Sequence, residues 1–368
     1  MGSFSSWYLD RRPLDAEKQR DYSLHVSPGI PAFDFAFVTA FVGAIMSWDV
    51  HFKKGVWLPQ LGWWLDCQHG MPRSFVSHAH SDHIARHKES LCTPATGRLM
   101  QERLGGRRQM TTLGYGEKHA LAFGCEVVLH PAGHILGSAQ FHATTEHGSL
   151  LYTGDFKLRP GLAAERCATP RAEVLIMETT FGLPRYVMPP TEKIHADIIV
   201  FCQQALADGA TPVLYAYALG KTQELVQLLG QAGLPIMLTP AAWRITKIYE
   251  ELGQKMPPYA EFEPTRHAGH VVIMPHRSPQ LDWINPKRTA AVTGWAIDSS
   301  TKYQYGCDAA FPLSDHADYH DLLAFVERVQ PKVVYTLHGF AKEFARTLRQ
   351  RGIEAWAIGQ GNQLELSL

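Results

Sequence analysis

The sequence predicts an α/β protein built in two parts of different rhythm. Its first half runs in short apolar segments separated by turn residues, the mark of β-strands. From about residue 190, strand-like segments alternate with helix-like ones, and such β-α-β alternation implies parallel pairing. The chain has 368 residues, more than one hydrophobic core usually serves, so one large domain with a second or inserted one is expected.

The elements follow in order. VWLPQLGWWL (56–65) reads as two short strands around a turn, and SFVSHAH (74–80) as a strand running into a loop. PATGRLMQERLG (94–105) predicts a short helix stopped by glycine. CEVVLH (125–130), AQFHATT (139–145), SLLYTGD (149–155) and EVLIMETT (173–180) are strands. The next segment opens with a proline pair and Thr191, a predicted N-cap. Ile194, Ile198, Phe201 and Ala205 then recur at helical spacing. Strand PVLYAYA (212–218), helix GKTQELVQLLGQAG and strand PIML come next, and HVVIMP (270–275) and TAAVTGW (289–295) extend the sheet. Helix YHDLLAFVERV, strand KVVYTLHG, helix KEFARTLRQRG and strand IEAWAIG complete the pattern. No repeat or low-complexity tract interrupts it.

Charge is balanced, with 35 basic and 35 acidic residues, which argues against a uniformly basic nucleic-acid coat but allows a local basic groove. Six cysteines lie at 67, 92, 125, 167, 202 and 307 with no C-x-x-C pair, so a reducing, cytoplasmic setting is expected. The apolar run FDFAFVTAFVGAIM (33–46) is short for a membrane helix and carries Asp34, so no membrane association is expected. Residues 1–45 are polar and aperiodic in their first part. They are expected to be an N-terminal extension, with Met46 as the native start.

The densest chemistry lies in SHAHSDHIARH (77–87). His78, His80, Asp82 and His83 form H-x-H-x-D-H after an apolar strand. Residues two apart on an extended chain point the same way, so His78 and His80 can face one ion while Asp82 and His83 face another. Imidazole and carboxylate suit Zn²⁺ and related ions. The alternative is a solvated histidine loop. Two ions need further ligands, and His134 in PAGHILGSAQF, Asp155 in LYTGDF and His338 in VVYTLHG each follow a strand. Singly, each is as well explained as a structural or turn residue; together they complete two coordination spheres.

In that order these segments resemble the ligand pattern of metallo-β-lactamase-fold hydrolases. METTFG (177–182), ALGKTQE (218–224), TGW (293–295), LSDHAD (313–318) and LHG (337–339) resemble the β-CASP branch, the nucleases of that superfamily. The resemblance runs from about residue 46 to the end. Within the branch, PAGHILGSAQ, TTFGLPRY and SDHAD look like the bacterial ligase-associated DNA exonucleases, also described as mRNA 3′-end processing factor-like proteins.

The resemblance implies a metallo-β-lactamase αββα sandwich over 46–184 and 313–368, with an α/β β-CASP cap inserted at 185–312. It implies two Zn²⁺, with Mn²⁺ as an alternative. His78, His80 and His134 would hold the first, Asp82, His83 and His338 the second, and Asp155 would bridge them. A hydroxide between two such ions is a nucleophile at neutral pH, which makes Asp82 and the other ligands part of the catalytic apparatus. His316 would assist the leaving oxygen as an acid, oriented by Glu178. The implied function is hydrolysis of nucleic acid, as an exonuclease with DNA favoured over RNA. A DNA ligase or helicase is the implied partner. A thioesterase or lactonase on the same scaffold is the rival reading, and it needs neither the insertion nor the Glu178–His316 pair.

Ser138 and Lys221 are candidates for substrate contact. GKTQE lacks the spacing of a nucleotide P-loop, but Gly220 opens a helix, and a helix N-terminus favours anions. A solvated lysine explains Lys221 equally well. Asp315 and Asp318 read as helix caps, and His87 as a surface histidine outside the motif.

Overall fold

The structure, a computed structural model, describes residues 48–121, 124–146 and 148–359. The expectations for residues 1–45 and for the run 33–46 fall outside the described residues.

Two mixed sheets lie face to face. The first has six strands in sequence order: His51–Phe52, Val56–Leu58, Trp63–Leu65, Arg73–Phe75, Glu89–Cys92 and Gln109–Thr112. Its first three strands pair antiparallel and the rest parallel. The second has seven strands, in the order Glu354–Ala357, Val333–Leu337, Val174–Glu178, Gly148–Tyr152, Ala139–Thr145, Glu126–Pro131 and Lys118–Ala120. Leu58, Trp63 and Phe75 of one inner face meet Phe141, Tyr152 and Ile176 of the other in a single buried cluster. The Phe75 and Phe141 rings sit 5.1 Å apart, within the range of favourable aromatic packing.

Helices cover the outer faces. Val174–Glu178 is buried along its whole length, as an apolar VLIME strand between two parallel neighbours should be. Behind it, Leu322, Phe325 and Val326 of helix Tyr319–Val329 pack with Phe344 and Leu348 of helix Ala341–Gln350 against Met177 and Leu175. In the second helix the buried positions 341, 344, 345 and 348 form one stripe at helical spacing. Helix Pro94–Leu104 covers the other side through Leu99 and Met100. The layers therefore run helix, sheet, sheet, helix, as expected.

A third sheet is wholly parallel: Ala260–Glu261, Ile236–Leu238, Val271–Met274, Thr211–Tyr215, Lys287–Val292 and Ala309–Phe311. Apolar clusters bury both its faces, one against helices Thr191–Ala207 and Lys221–Gln231. This is the β-α-β region read from the sequence, and with the sandwich it makes the α/β class plain.

Local differences have simple causes. Thr191 is not the N-cap of its helix. Pro190 holds that position with an extended backbone and Thr191 is already helical. The strand beginning at Thr211 ends at Tyr215 rather than 218, because the chain turns there toward Gly220. Helix Pro240–Glu251 was not anticipated, although its buried Ala242, Ile245, Ile248 and Tyr249 keep helical spacing behind a proline at its start. Among the described residues no helix is long and apolar enough to cross a membrane.

Candidate metal centre

Every chemistry-bearing segment leaves the C-terminal end of a strand toward one cleft. His78 and His80 follow Arg73–Phe75, His134 follows Glu126–Pro131, Asp155 follows Gly148–Tyr152, and His338 follows Val333–Leu337. Glu178 ends its own strand, and its register partner is Leu337, so Glu178 and His338 emerge side by side. Asp315 and His316 arrive from the third sheet, after Ala309–Phe311. The cleft holds about 530 Å³, and His80, Asp82, His83, Asp155, His316 and His338 are among the residues that line it.

Tight turns make the convergence possible. Gly154, in TGD, has φ +56, and a Cβ there would stand 2.5 Å from Ser77 Cβ. Gly339 has φ +53, and a Cβ would meet the Thr179 carbonyl oxygen at 2.5 Å. His338 itself takes φ 59, an uncommon conformation for its side chain, and its carbonyl accepts from Thr179 Oγ1 at 2.7 Å.

Three imidazoles, two buried and one half-buried, form the heart of the site. His78 Nε2 lies 3.0 Å from His80 Nδ1, and His134 Nε2 lies 3.1 Å from the same atom. The outer nitrogens are engaged elsewhere. His80 Nε2 donates to the Leu219 carbonyl at 3.1 Å, and His134 Nδ1 donates to the Asp315 carbonyl at 2.7 Å. A carbonyl cannot donate, so those partners assign the protons outward. His80 Nδ1 and His134 Nε2 are then lone pairs facing one another with no proton between them. Burial holds His78 and His80 below the ordinary histidine range and takes His134 down to about 3, which keeps the rings neutral. The arrangement fits a cation. Zinc bonds of 2.0–2.1 Å place tetrahedral nitrogens roughly 3.3 Å apart.

The other side of the cleft centres on Asp155 and His83. Asp155 Oδ2 lies 3.3 Å from His83 Nε2, 3.6 Å from His78 Nε2 and 3.9 Å from His134 Nε2. It thus faces both groups. Burial pushes its carboxyl up, but the charges of His83 and His316 outweigh this and hold it well below the usual carboxylate range. For His83, burial acts downward, and Asp155 and Asp66 together raise it well above its usual value. Asp82 Oδ2 lies 3.7 Å from His83 Nε2, and its side chain is 65% exposed at the mouth. The His338 ring lies 6.1 Å from that of His83.

Glu178 and His316 are joined as well. His316 Nδ1 donates to Glu178 Oε1 at 2.7 Å, which leaves Nε2 for the cleft. Glu178 is fixed in turn by the backbone N–H of Phe156, at 3.1 Å, and by Thr180. Burial pushes the His316 imidazole down, but Glu178 and Asp155 outweigh it and raise it to about 10. Cations in the cleft would oppose that rise.

The remaining candidates sit differently from the expectation. Ser138 is fully buried, and its hydroxyl accepts from the backbone N–H groups of His134 and Ile135, at 3.1 and 3.3 Å. It shapes the loop that presents His134. Lys221 is not solvated. It is 1% exposed, 3.1 Å from Glu224 and 3.9 Å from Asp315, and Lys157 pairs with Glu224 from the other side at 2.8 Å. Asp318 caps its helix by accepting from Asp321 N, as read. Asp315 does not cap. It faces Lys221, and its carbonyl orients His134. His87 is buried, not on the surface: it accepts from Met71 N at 3.2 Å, and burial takes it down to about 4.

Asp66 is the residue that pattern reading misses. It accepts from Ser77 N at 2.7 Å, Ser77 Oγ at 2.5 Å, His83 Nδ1 at 2.9 Å and Tyr152 OH at 2.8 Å. A carboxylate behind a ligating histidine fixes its tautomer and raises its basicity. The only signal was one acidic residue closing the apolar strand WWL.

Comparison with known proteins bears on the same site. The family model described as the Zn-dependent metallo-hydrolase RNA specificity domain matches residues 309–358, which carry Asp315, His316 and His338. A "Probable DNA ligase" of Opitutus terrae is 56% identical over 327 residues, 88% of this chain and 32% of that protein. The "5′ exonuclease Apollo" of Rattus norvegicus is 29% identical over 303 residues, 76% of this chain and 54% of the relative. The "Transcription termination factor FttA" of Pyrococcus abyssi is 34% identical over 148 residues, 38% of this chain and 23% of the relative. These similarities support a place for the chain in the β-CASP branch of the metallo-β-lactamase fold. The chain spans about a third of the ligase-named relative and about half of the exonuclease. Its fold is also that of a protein of unknown function from Enterococcus faecalis V583, with a TM-score of 0.55 and 13% identity over 74% of this chain and 76% of that one.

Proposed function

We propose that this chain is a two-zinc phosphodiesterase that hydrolyses nucleic acid from an end, with DNA as the favoured substrate. In this reading His78, His80 and His134 would hold one ion and Asp82, His83 and His338 the second, with Asp155 available to both. Mn²⁺ is the alternative metal. The supporting observation is the pair of lone pairs on His80 and His134, 3.1 Å apart and protonated outward, which call for a cation. When bound, two divalent ions activate water near neutral pH and neutralise charge on a phosphate.

The chain's own residues supply the rest. Asp66, Leu219 and Asp315 aim the imidazoles, so little reorganisation is needed when metal enters. Glu178 keeps His316 protonated and turned so that Nε2 can give its proton to the leaving oxygen. A thioesterase has little use for that acid, because a thiolate leaves without a proton. Residues 46–184 with 313–368 form the hydrolase domain in this reading, and 185–312 the cap.

The DNA preference rests on similarity to proteins named a probable DNA ligase and a 5′ exonuclease. A DNA ligase is accordingly the proposed partner. RNA is the second reading, favoured by the match to an RNA specificity domain over 309–358. One assay separates them: end-labelled single- and double-stranded DNA and RNA, with zinc or manganese, cut by the wild type, His316→Ala and Asp155→Ala. Stepwise loss of terminal nucleotides from DNA, abolished in both variants, is the expected result. Equal cutting by the variants would remove the assigned site, and preferential cutting of RNA would replace the substrate.

A further inference from the structure

Tyr217 stands where two concavities meet. It lines the cleft that holds the histidines, and it also lines a neighbouring hollow of about 170 Å³ with Tyr215, Pro275, His276, Thr293 and Tyr305. We propose that this hollow is a nucleobase subsite, in which a base next to the scissile phosphate stacks against Tyr217. The proposal rests on the nucleic-acid hydrolase reading and adds to it where a base goes.

A single exposed tyrosine would need no explanation. Three observations set this one apart. First, the walls are aromatic and already ordered. The His276 ring packs 5.2 Å from Tyr215 and 4.6 Å from Tyr305, and its Nε2 donates to the Tyr305 carbonyl at 3.1 Å. Tyr217 is 64% exposed, yet its backbone is held, because its carbonyl accepts from Thr222 N at 3.1 Å and Thr222 Oγ1 at 2.7 Å. An open ring on a fixed backbone is a stacking platform that loses little entropy on binding.

Second, the hollow lies where a parallel sheet offers a ligand crevice. Tyr215 and Tyr217 leave the C-terminal end of Thr211–Tyr215, Pro275 and His276 that of Val271–Met274, and Thr293 that of Lys287–Val292. Thr211–Tyr215 is the middle strand of these three. The chain after it moves first to one side, to Ile236–Leu238, and later crosses to the other, to Lys287–Val292. Ligands of open parallel sheets sit at such a reversal, outside the strand ends. Third, the size fits. The hollow falls below the roughly 300–1,000 Å³ of pockets for drug-sized molecules, so it admits one ring system and not a folded chain. Any base has the π-face that such walls bind, whereas the other side of Tyr217 opens on the cleft lined by His80, Asp82, His83 and Asp155.

The test uses the full-length, zinc-loaded protein and a single-stranded oligonucleotide carrying one abasic residue, moved position by position. In the wild type, one position of the abasic residue is expected to raise KM about tenfold with kcat changed less than about twofold. Tyr217→Ala should show the same rise on the normal strand and no added penalty from the abasic residue. Tyr217→Phe should restore wild-type KM, because it keeps the ring. Tyr303→Ala removes another exposed tyrosine outside the hollow and serves as control. If Tyr217→Ala matches wild type on both strands, the subsite is wrong while the hydrolase reading stands. Quenching of a 2-aminopurine strand, measured in the zinc-loaded His316→Ala background, covers the remaining case. Should no protein cut any strand, Tyr217-dependent quenching keeps the subsite and removes the hydrolase reading. Quenching that does not depend on Tyr217 removes the subsite.

Discussion

The two halves of the proposed metal centre are built differently. His78 and His134 are buried and His80 is half-buried, their nitrogens stand 3.0 and 3.1 Å apart, and each ring is anchored by Ser77, Leu219 or Asp315. Across the cleft, His83 is buried and anchored by Asp66, but Asp82 is 65% exposed and His338 sits on a left-handed turn. The first half is preorganised; the second is closed by residues at the mouth. The difference implies unequal affinity, with the histidine triad filling first.

Variants can break or sharpen that contrast. The largest effect belongs to Asp155→Ala, which removes a carboxylate that faces His78, His83 and His134 across the cleft. It should lower the metal content of both halves, read by mass spectrometry, and take cleavage to background; retention of two ions would show that the halves load independently. Next is His316→Ala, expected to lower kcat by roughly 10²–10⁴-fold with metal content unchanged. Glu178→Gln should fall between it and wild type, with the alkaline limit of the kcat profile moved downward, because the carboxylate that holds His316 protonated is gone.

Asp66→Asn weakens one half more than the other. It should cost roughly 10–100-fold in affinity at the His83 side, which it bonds directly, and less at the triad, which it reaches through Ser77. Equal loss at both would deny the asymmetry. Glu224 acts at one remove, behind Asp315. The charges of Lys157 and Lys221 overcome the upward push of burial and bring Glu224 down to about 2. Its folded value lies below the unfolded one, ~4.3, so its stabilisation is complete above that value and fades as pH falls toward about 2. Urea melts should show the wild type losing on the order of 3 kcal/mol across that window, and Glu224→Gln losing less there from a lower neutral starting point. The smallest effect on metal content should come from His87→Ala, since that ring bonds only Met71 N. Loss of an ion there would place His87 in the centre after all.

What was legible in the sequence follows from how local each feature is. H-x-H-x-D-H declares itself because ligand spacing and strand periodicity are short-range properties. His134, Asp155 and His338 could be placed only with a family resemblance, since nothing local separates a strand-end ligand from a strand-end turn residue. Asp66 and the Asp315 carbonyl stayed hidden for the opposite reason. One is a lone acid 17 positions from the His83 it anchors, and the other is backbone, which carries no residue signature. Lys221 misled because charge usually means solvent, and here Glu224 compensates it inside. Strand and helix order was largely readable from apolar periodicity. Helix Pro240–Glu251 was missed although its spacing was present.

The anchoring of His80 by Leu219 and of His134 by Asp315 has a consequence for the order of assembly. The triad's members are synthesised early, within the first 134 positions, whereas the carbonyls that set two of their tautomers come 139 and 181 positions after the rings they serve. A ribosome-bound chain that has made the sandwich's first strands holds three histidines free to flip and to trade protons. Only when the third sheet has folded against them are the lone pairs turned inward together. In the proposed two-metal reading, that order would time metal capture to the completion of the cleft.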